Sequence, residues 1–376
     1  MPPNNSAAWL PAKSVKPLQI GPAPYTPAGA GQIVVKNRAV AINPVDWGKH
    51  QAGNAILGYI KYPFILGGDV AGDVVEVGPG VERFRVGDRV LGQAAAAAPT
   101  SNNPAEGAFQ HYTIIREHLA APIPNWMSYE QACVLPLALL TAAYGLFHQN
   151  FLALDPPTVP PPLPTANKRT IIITGGSSSV GSCAVQLAVS VGYQVYSTAS
   201  PKNFAYVEKL GATRVFDYHS ATLVDDMVAE LKGTSLVGMF VIGDGFVEAC
   251  STVLRLCGSS KKFIAFAGTI IDPDQFGTSL RTAAFFVSMI LWFGQRALVS
   301  CFTGVCTKFV EGEDICEPDN VATQVVFRDF FPQALASGQI VPALEPLILG
   351  KGLDKIQEAI DLQKRSVSAQ KIVVLL

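Results

Sequence analysis

The sequence predicts an α/β chain in which a doubly wound parallel sheet is joined to a β-rich unit, and three observations lead there. Residues 168 to 269 alternate branched apolar strands with helical patterns, the order that builds a parallel sheet. Residues 30–120 read as short strands punctuated by glycines at 67, 68, 72, 78, 80, 87 and 92, as the turns and bulges of a small barrel require. Between the two regions, residues 155–164 read DPPTVPPPLP. Such a run holds neither helix nor ladder hydrogen bonds and predicts a stiff, extended linker. A chain of 376 residues has room for two domains, and 49% hydrophobic residues supply a full core without disulfide or metal staples.

In chain order, residues 32–42 (QIVVKNRAVAI), 70–77 (VAGDVVEV) and 109–115 are strands by their branched apolar content. Residues 136–150 form a helix leading out of the β-rich region. Strands follow near 170–174, 194–197, 214–216, 239–242 and 262–267, with helical patterns between them. The tail is mixed: 327–338 and 353–364 read as helices, and 371–376 (KIVVLL) as a closing strand. The most hydrophobic run, 283–293, lies between Arg281 and Arg296 and is expected to be too short to span a bilayer.

Bulk properties exclude several classes. A net charge of −1 offers no field to attract nucleic acid or an anionic membrane. The opening MPPNNSAAWLPAK has no apolar core and no arginine-rich amphipathic pattern, so no secretory or transit signal is expected. Seven cysteines with no C-x-x-C pair fit the reduced thiols of a cytoplasmic enzyme.

The most informative stretch is 170–202, TIIITGGSSSVGSCAVQLAVSVGYQVYSTASPK. A strand, a Gly/Ser turn (Gly175, Gly176, Ser177, Ser178, Ser179, Val180, Gly181), a helix and a second strand make a βαβ unit. Such a turn brings backbone N–H groups to a pyrophosphate, and the helix N-terminus adds about half a positive charge. Against the pattern G-x-G-x-x-G, Gly176 and Gly181 fit while Ser178 takes the middle place. An NAD site usually ends its second strand in an acid that holds the ribose 2′-OH. Here Ser200, Pro201, Lys202 and Asn203 stand there instead, a hydroxyl, an ammonium and an amide suited to a 2′-phosphate. The expected cofactor is NADPH.

Four stretches then carry a resemblance over nearly the whole length: Asn43-Pro44-Val45-Asp46, residues 67–90 (GGDVAGDVVEVGPGVERFRVGDRV), the turn at 175–181, and the tail SGQIVPALEPLILGKGLDKIQEAI with KIVVLL. The sequence resembles the medium-chain dehydrogenase/reductase superfamily. Residues 200–204 (SPKNF), 216–218 (FDY) and 139–143 (LLTAA) make it similar, within that superfamily, to fungal trans-acting enoyl reductases that partner iterative polyketide synthases. The resemblance implies a GroES-like catalytic domain from both chain ends (1–150 and 325–376), a linker at 151–167 and an inserted Rossmann NADP-binding domain at 168–324. It also implies a synthase partner, polyketide or polyketide–peptide hybrid, presenting a carrier-bound acyl chain.

Many members of the superfamily hold zinc with a cysteine near the 43–46 segment and a His-Glu pair after the glycine at 67. Here 43–46 has no cysteine, Gly67 is followed by Gly68 and Asp69, and 92–108 has no cysteine either. No metal is expected, since a catalytic zinc needs about three such ligands. Without that Lewis acid, hydride addition to an activated C=C is favoured over alcohol oxidation.

By resemblance the nicotinamide lies against Val45, Asp46, Trp47 and Gly48 and the closing-strand residues Ile372 and Val373. Thr141 is placed beside the nicotinamide or the substrate, and Tyr218 joins Ser200 and Lys202 at the adenosine end. The acid that protonates the α-carbon stays open among Lys49, Tyr59, Tyr62 and solvent. Leu140, Thr141 and Tyr144, with Phe285, Phe286, Val287, Ser288 and Met289, are candidates for the substrate pocket, aromatic and Met side chains making an adaptable apolar wall. Two alternatives share the cofactor residues: a quinone or alkenal reductase acting on free small molecules, and a non-catalytic NADPH-binding partner of a synthase.

Overall fold

A computed structural model describes residues 3–162, 169–259, 261–268, 279–365 and 367–376. Up to residue 122 the chain forms β1 (Asn5–Leu10), β2 (Gln19–Ala23), β3 (Gln32–Ala41), β4 (Phe64–Ile65), β5 (Asp69–Val77), β6 (Arg89–Gln93), β7 (Tyr112–Arg116) and β8 (Ala120–Pro122). From residue 169 come β9 (Arg169–Ile173), β10 (Gln194–Ala199), β11 (Arg214–Asp217), β12 (Ser235–Val241), β13 (Phe263–Phe266) and β14 (Cys306–Phe309), and the chain closes with β15 (Glu345–Lys351) and β16 (Gln370–Leu375).

The mixed sheet runs β15-β16-β3-β5-β6-β8 with β7 also on β3, and a smaller sheet runs β2-β1-β4. β16 returns from the chain end to pair antiparallel with β3, Val373 opposite Ala41. In the middle of β3 Lys36 and Arg38 face water while Val35, Asn37 and Ala39 are buried, the alternation of a half-covered strand, and both ends, 33–35 and 39–41, are buried throughout. The other sheet is parallel throughout, in the order β11-β10-β9-β12-β13-β14. That is the doubly wound order, which reverses direction between β9 and β12 and opens a crevice there at the strand ends.

The structure departs from the sequence reading at several elements: β1, β2 and β15 were not anticipated, the helix expected at 327–338 is a π-helical turn at Val325–Asp329 followed by a short helix at Phe331–Ala336, and two further differences lie beside the parallel sheet. β14 was not anticipated; it has four residues at the sheet's edge, too few and too polar to register as a strand. The run expected to be too short for a bilayer belongs to a 25-residue helix, Ser279–Thr303. Its 21-residue segment Ala283–Thr303 holds an 18-residue window of mean hydropathy 1.5, 11% of it buried, and is long and apolar enough to cross a membrane by length and composition. No proline interrupts 283–303, so the helix continues past Arg296, which pairs with Glu248 at 2.7 Å and lies over Trp292.

The helix Pro136–Phe147 ties the two units together. Asp69 Oδ1 accepts from the Leu137 amide at 2.7 Å, satisfying one of the free N–H groups of its first turn. Near its other end the Tyr144 hydroxyl donates to Asp314 Oδ1 at 2.6 Å, beside β14. Apart from Leu137 and Thr141, one turn apart on one face, the helix is buried.

Candidate cofactor cleft and active site

The Gly/Ser turn sits at the crevice. Thr174 ties its two banks together, its Oγ1 accepting from Ile242 N at 2.7 Å and donating to Ile242 O at 3.0 Å. Gly175 has φ +62 and donates to Thr198 Oγ1 at 3.0 Å, and Gly176 donates to Thr198 O at 2.9 Å. A Cβ at Gly176 would fall 2.3 Å from Ser197 Oγ, and one at Gly181 would fall 2.1 Å from the Gly175 carbonyl. These two glycines let the helix Ser179–Ser190 close onto the strands. Ser178 caps that helix, its Oγ accepting from Gly181 N at 3.1 Å.

Ser177 to Val180 are only half-buried, and the helix has no acidic residue in its first turn. The Ser179 hydroxyl is buried and meets no partner among the described residues. A free hydroxyl beside the N-terminus of a twelve-residue helix suits an anion, so the turn fits a dinucleotide pyrophosphate.

β10 and β11 lie side by side with Ala199 opposite Asp217, which puts Ser200 and Tyr218 next to each other just past the strand ends. Asn203 Nδ2 donates to Ser200 Oγ at 3.2 Å and reaches Ser368 Oγ at 3.4 Å. Lys202 is exposed in the turn Pro201–Asn203. Tyr218 is 37% exposed, its ring edge-on to Phe246. Asp217, the acid nearby, is turned to His219, accepting from its amide at 3.0 Å. The group fits a 2′-phosphate by its hydroxyls, amide and ammonium.

The residues expected against the nicotinamide lie on the helix Pro44–Ala52 and on β16. Val45 is partly exposed, while Trp47 and Gly48 are buried. Asp46 accepts from the Asn43 amide at 2.8 Å, and burial pushes its carboxyl up to about 7. Ile372 and Val373 are core residues of β16. Beside them stands Lys371, which the sequence reading missed. Its ammonium lies 3.2 Å from Asp69 Oδ2 and 2.5 Å from Asn43 Oδ1, and Asn43 Nδ2 donates to the same Asp69 oxygen at 2.8 Å. The only sequence signals were an acid within an apolar strand and a lysine opening KIVVLL, at opposite ends of the chain.

Thr141 donates its hydroxyl proton to Leu137 O at 2.8 Å, so toward the cleft its oxygen can only accept. Lys49 is fully buried, and its ammonium donates to the carbonyls of Gly53 (3.0 Å), Ile56 (3.0 Å) and Leu57 (2.9 Å). Burial, with the charge of Lys13, draws its pKa down to about 8. Its three protons thus clamp the 53–57 segment. Tyr62 donates to Asn54 and Tyr59 to Ala97 O.

Leu140 is core, and Tyr144 is held toward Asp314 and stacked on His148, so neither side chain lines an open wall. The structure does bring Phe285, Phe286 and Met289 onto Ala52, Ala55 and Ile56, just past the Pro44–Ala52 helix. Val287 and Ser288 are instead exposed, because a helix turns them to another face. Among the described residues, no group of three or more His, Cys, Asp or Glu could hold a metal ion.

Residues 29–125 match the alcohol dehydrogenase GroES-like domain family. Over the full length of both chains, the sequence is 47% identical to dehydrogenase pigH of Monascus ruber. It is 36% identical to trans-enoyl reductase himH of Aspergillus japonicus, covering 98% of this chain and 97% of that one. Among solved structures, the CurK enoyl reductase superposes with a TM-score of 0.70 over 99% of each chain, at 17% identity.

Proposed function

The chain belongs to the medium-chain dehydrogenase/reductase superfamily, oxidoreductases that bind nicotinamide cofactors, and within it we propose an NADPH-dependent enoyl reductase that saturates the C=C of an α,β-unsaturated thioester. The observation that carries the reading is the end of β10, where Ser200, Lys202 and Asn203 stand in place of an acid and Tyr218 lies beside them. Similarity along its length to a protein named trans-enoyl reductase supports the reaction class.

When bound, NADPH supplies hydride at the β-carbon of the acceptor. The chain's own residues do the rest. The turn at 177–180, with the Ser179 hydroxyl and the helix N-terminus, would hold the pyrophosphate, Lys202 and Ser200 would hold the 2′-phosphate, and Thr141 would accept a hydrogen bond from the ribose or carboxamide. Gly68 stands where a zinc-binding relative would need histidine, and 43–46 has no cysteine, so the donor set does not fit catalytic zinc. An enolate can be held by hydrogen bonds, whereas an alkoxide would need the missing Lewis acid. The Phe285, Phe286 and Met289 cluster walls the acyl end.

The partner is an iterative polyketide synthase, or a synthase–peptide synthetase hybrid, that presents the acyl chain on its carrier domain. The seven cysteines, all unpaired, support a cytoplasmic setting. The test is NADPH consumption with enoyl thioesters, free and carrier-linked, against NADP⁺ reduction with simple alcohols. Enoyl thioesters should turn over and alcohols should not, and tethering should raise the apparent kcat/KM through effective concentration. Faster oxidation of an alcohol than reduction of any enoyl thioester would overturn the reading.

A further inference from the structure

Gln93 ends β6 directly opposite Asp69 in the antiparallel pair β5–β6, so both side chains leave the same face of the sheet. That is the face on which Asp69 receives the Leu137 amide at the start of the helix that carries Thr141. Gln93 is 8% exposed. Its Nε2 donates to Ala94 O at 3.2 Å, and its Oε1 meets no donor among the described residues. Turning the amide over would set its oxygen against the Ala94 carbonyl, so this orientation is the favourable one. One N–H and the whole carbonyl of a buried amide are left uncommitted among the described residues, an arrangement that costs stability unless a ligand or water completes it.

The place of that amide follows from Gly68. A Cβ there would fall 3.1 Å from Gln93 Nε2 and 3.2 Å from Leu137 Cδ1. The absence of a side chain at 68 lets the amide and the leucine crowd in together, one helical turn from Thr141. Thr141 has given its proton to Leu137 O and cannot donate to a developing negative charge. Lys49 has its protons on three carbonyls. Gln93 Nε2, by contrast, keeps one N–H without a partner among the described residues.

Resting on the enoyl reductase reading, we infer that Gln93 is the residue that binds the carbonyl oxygen of the α,β-unsaturated substrate, donating from Nε2 while Oε1 holds a water that serves as proton source. As hydride adds to the β-carbon, the C=C pair shifts to the α-carbon–carbonyl bond and the C=O pair moves onto oxygen, where the Nε2 proton meets it. When the oxygen's pair reforms C=O, the α-carbon takes a proton from the water, and the hydroxide left behind is neutralised by solvent.

The test compares wild type with Gln93→Leu and Gln93→Glu. Losing one such donor lowers kcat by 10²–10³ in well-enclosed oxyanion sites; a neutral amide at an open cleft should lose about 10–100-fold. Gln93→Leu should show that loss with enoyl thioesters while NADPH affinity, read by nucleotide fluorescence, stays within about twofold. Gln93→Glu should be poorer still at pH 8, where a carboxylate faces the forming enolate. It should recover as the pH falls and the protonated acid regains a donor, a limb absent from the wild-type profile. If Gln93→Leu does not fold, the pH profile of Gln93→Glu decides. Wild-type activity with variants within about threefold of it, or losses that track NADPH binding, would overturn this inference alone. A wild-type protein inactive on every enoyl thioester would overturn the reading beneath it.

Discussion

Replacing Lys371 with methionine keeps much of the side chain's volume and removes its charge from a place where water cannot replace it. Lys371 is 5% exposed and Asp69 fully buried, and the two lie 3.2 Å apart. At an effective dielectric constant of about 20, charges at that separation attract by about 5 kcal/mol. The carboxylate would keep its bonds from the Leu137 amide (2.7 Å) and Asn43 Nδ2 (2.8 Å), which soften the loss. A single substitution should therefore destabilise by about 3 kcal/mol, at the lower end of what breaking a buried pair costs. Urea unfolding of Lys371→Met, Asp69→Leu and the double variant closes a thermodynamic cycle. Because removing both charges leaves neither stranded, the double variant should be more stable than the sum of the singles by about 2 kcal/mol or more. Additivity within about 0.5 kcal/mol would refute the pairing as an organising contact.

Lys202→Ala should raise the KM for NADPH about tenfold and leave NADH nearly unchanged, because a charge-assisted contact to the 2′-phosphate is lost; equal losses with both cofactors would exclude Lys202 from that role. Gly181→Ala should abolish nucleotide binding, measured by calorimetry, since its Cβ would stand 2.1 Å from the Gly175 carbonyl and push the helix off the turn. Asp46 keeps its proton in the folded state up to about pH 7, whereas an unfolded aspartate ionises near pH 4. Between about pH 4 and 7 the folded state binds more protons, so this residue makes stability fall as pH rises. Asp46→Asn should flatten that slope in denaturation curves taken across the window; an unchanged slope would show that Asp46 is ionised in the fold.

The sequence by itself determined what depends on local pattern. Alternating strand and helix signals located β9 to β13, and the Gly/Ser turn was legible because a strand, a tight turn and a helix N-terminus are neighbours in the chain. The replacement of an acid by Ser200 and Lys202 was legible for the same reason. Only the tertiary structure could bring Lys371 to Asp69 and Asn43, because the return of β16 onto β3 joins opposite ends of the chain. It also decided which side chains of a known helix are left outside the core. Tyr144 turns to Asp314 while Thr141 stays half-buried, and Phe285 and Met289 pack on Ala55 and Ile56 while Val287 turns to solvent. Lys49 stood among the candidate acids in sequence, but carbonyls up to eight residues further along converge on it once the 53–57 segment folds back. Sequence pattern records periodicity along one strand or helix; which donors are already committed, and which amide is left without a partner, is set by distant segments meeting in space.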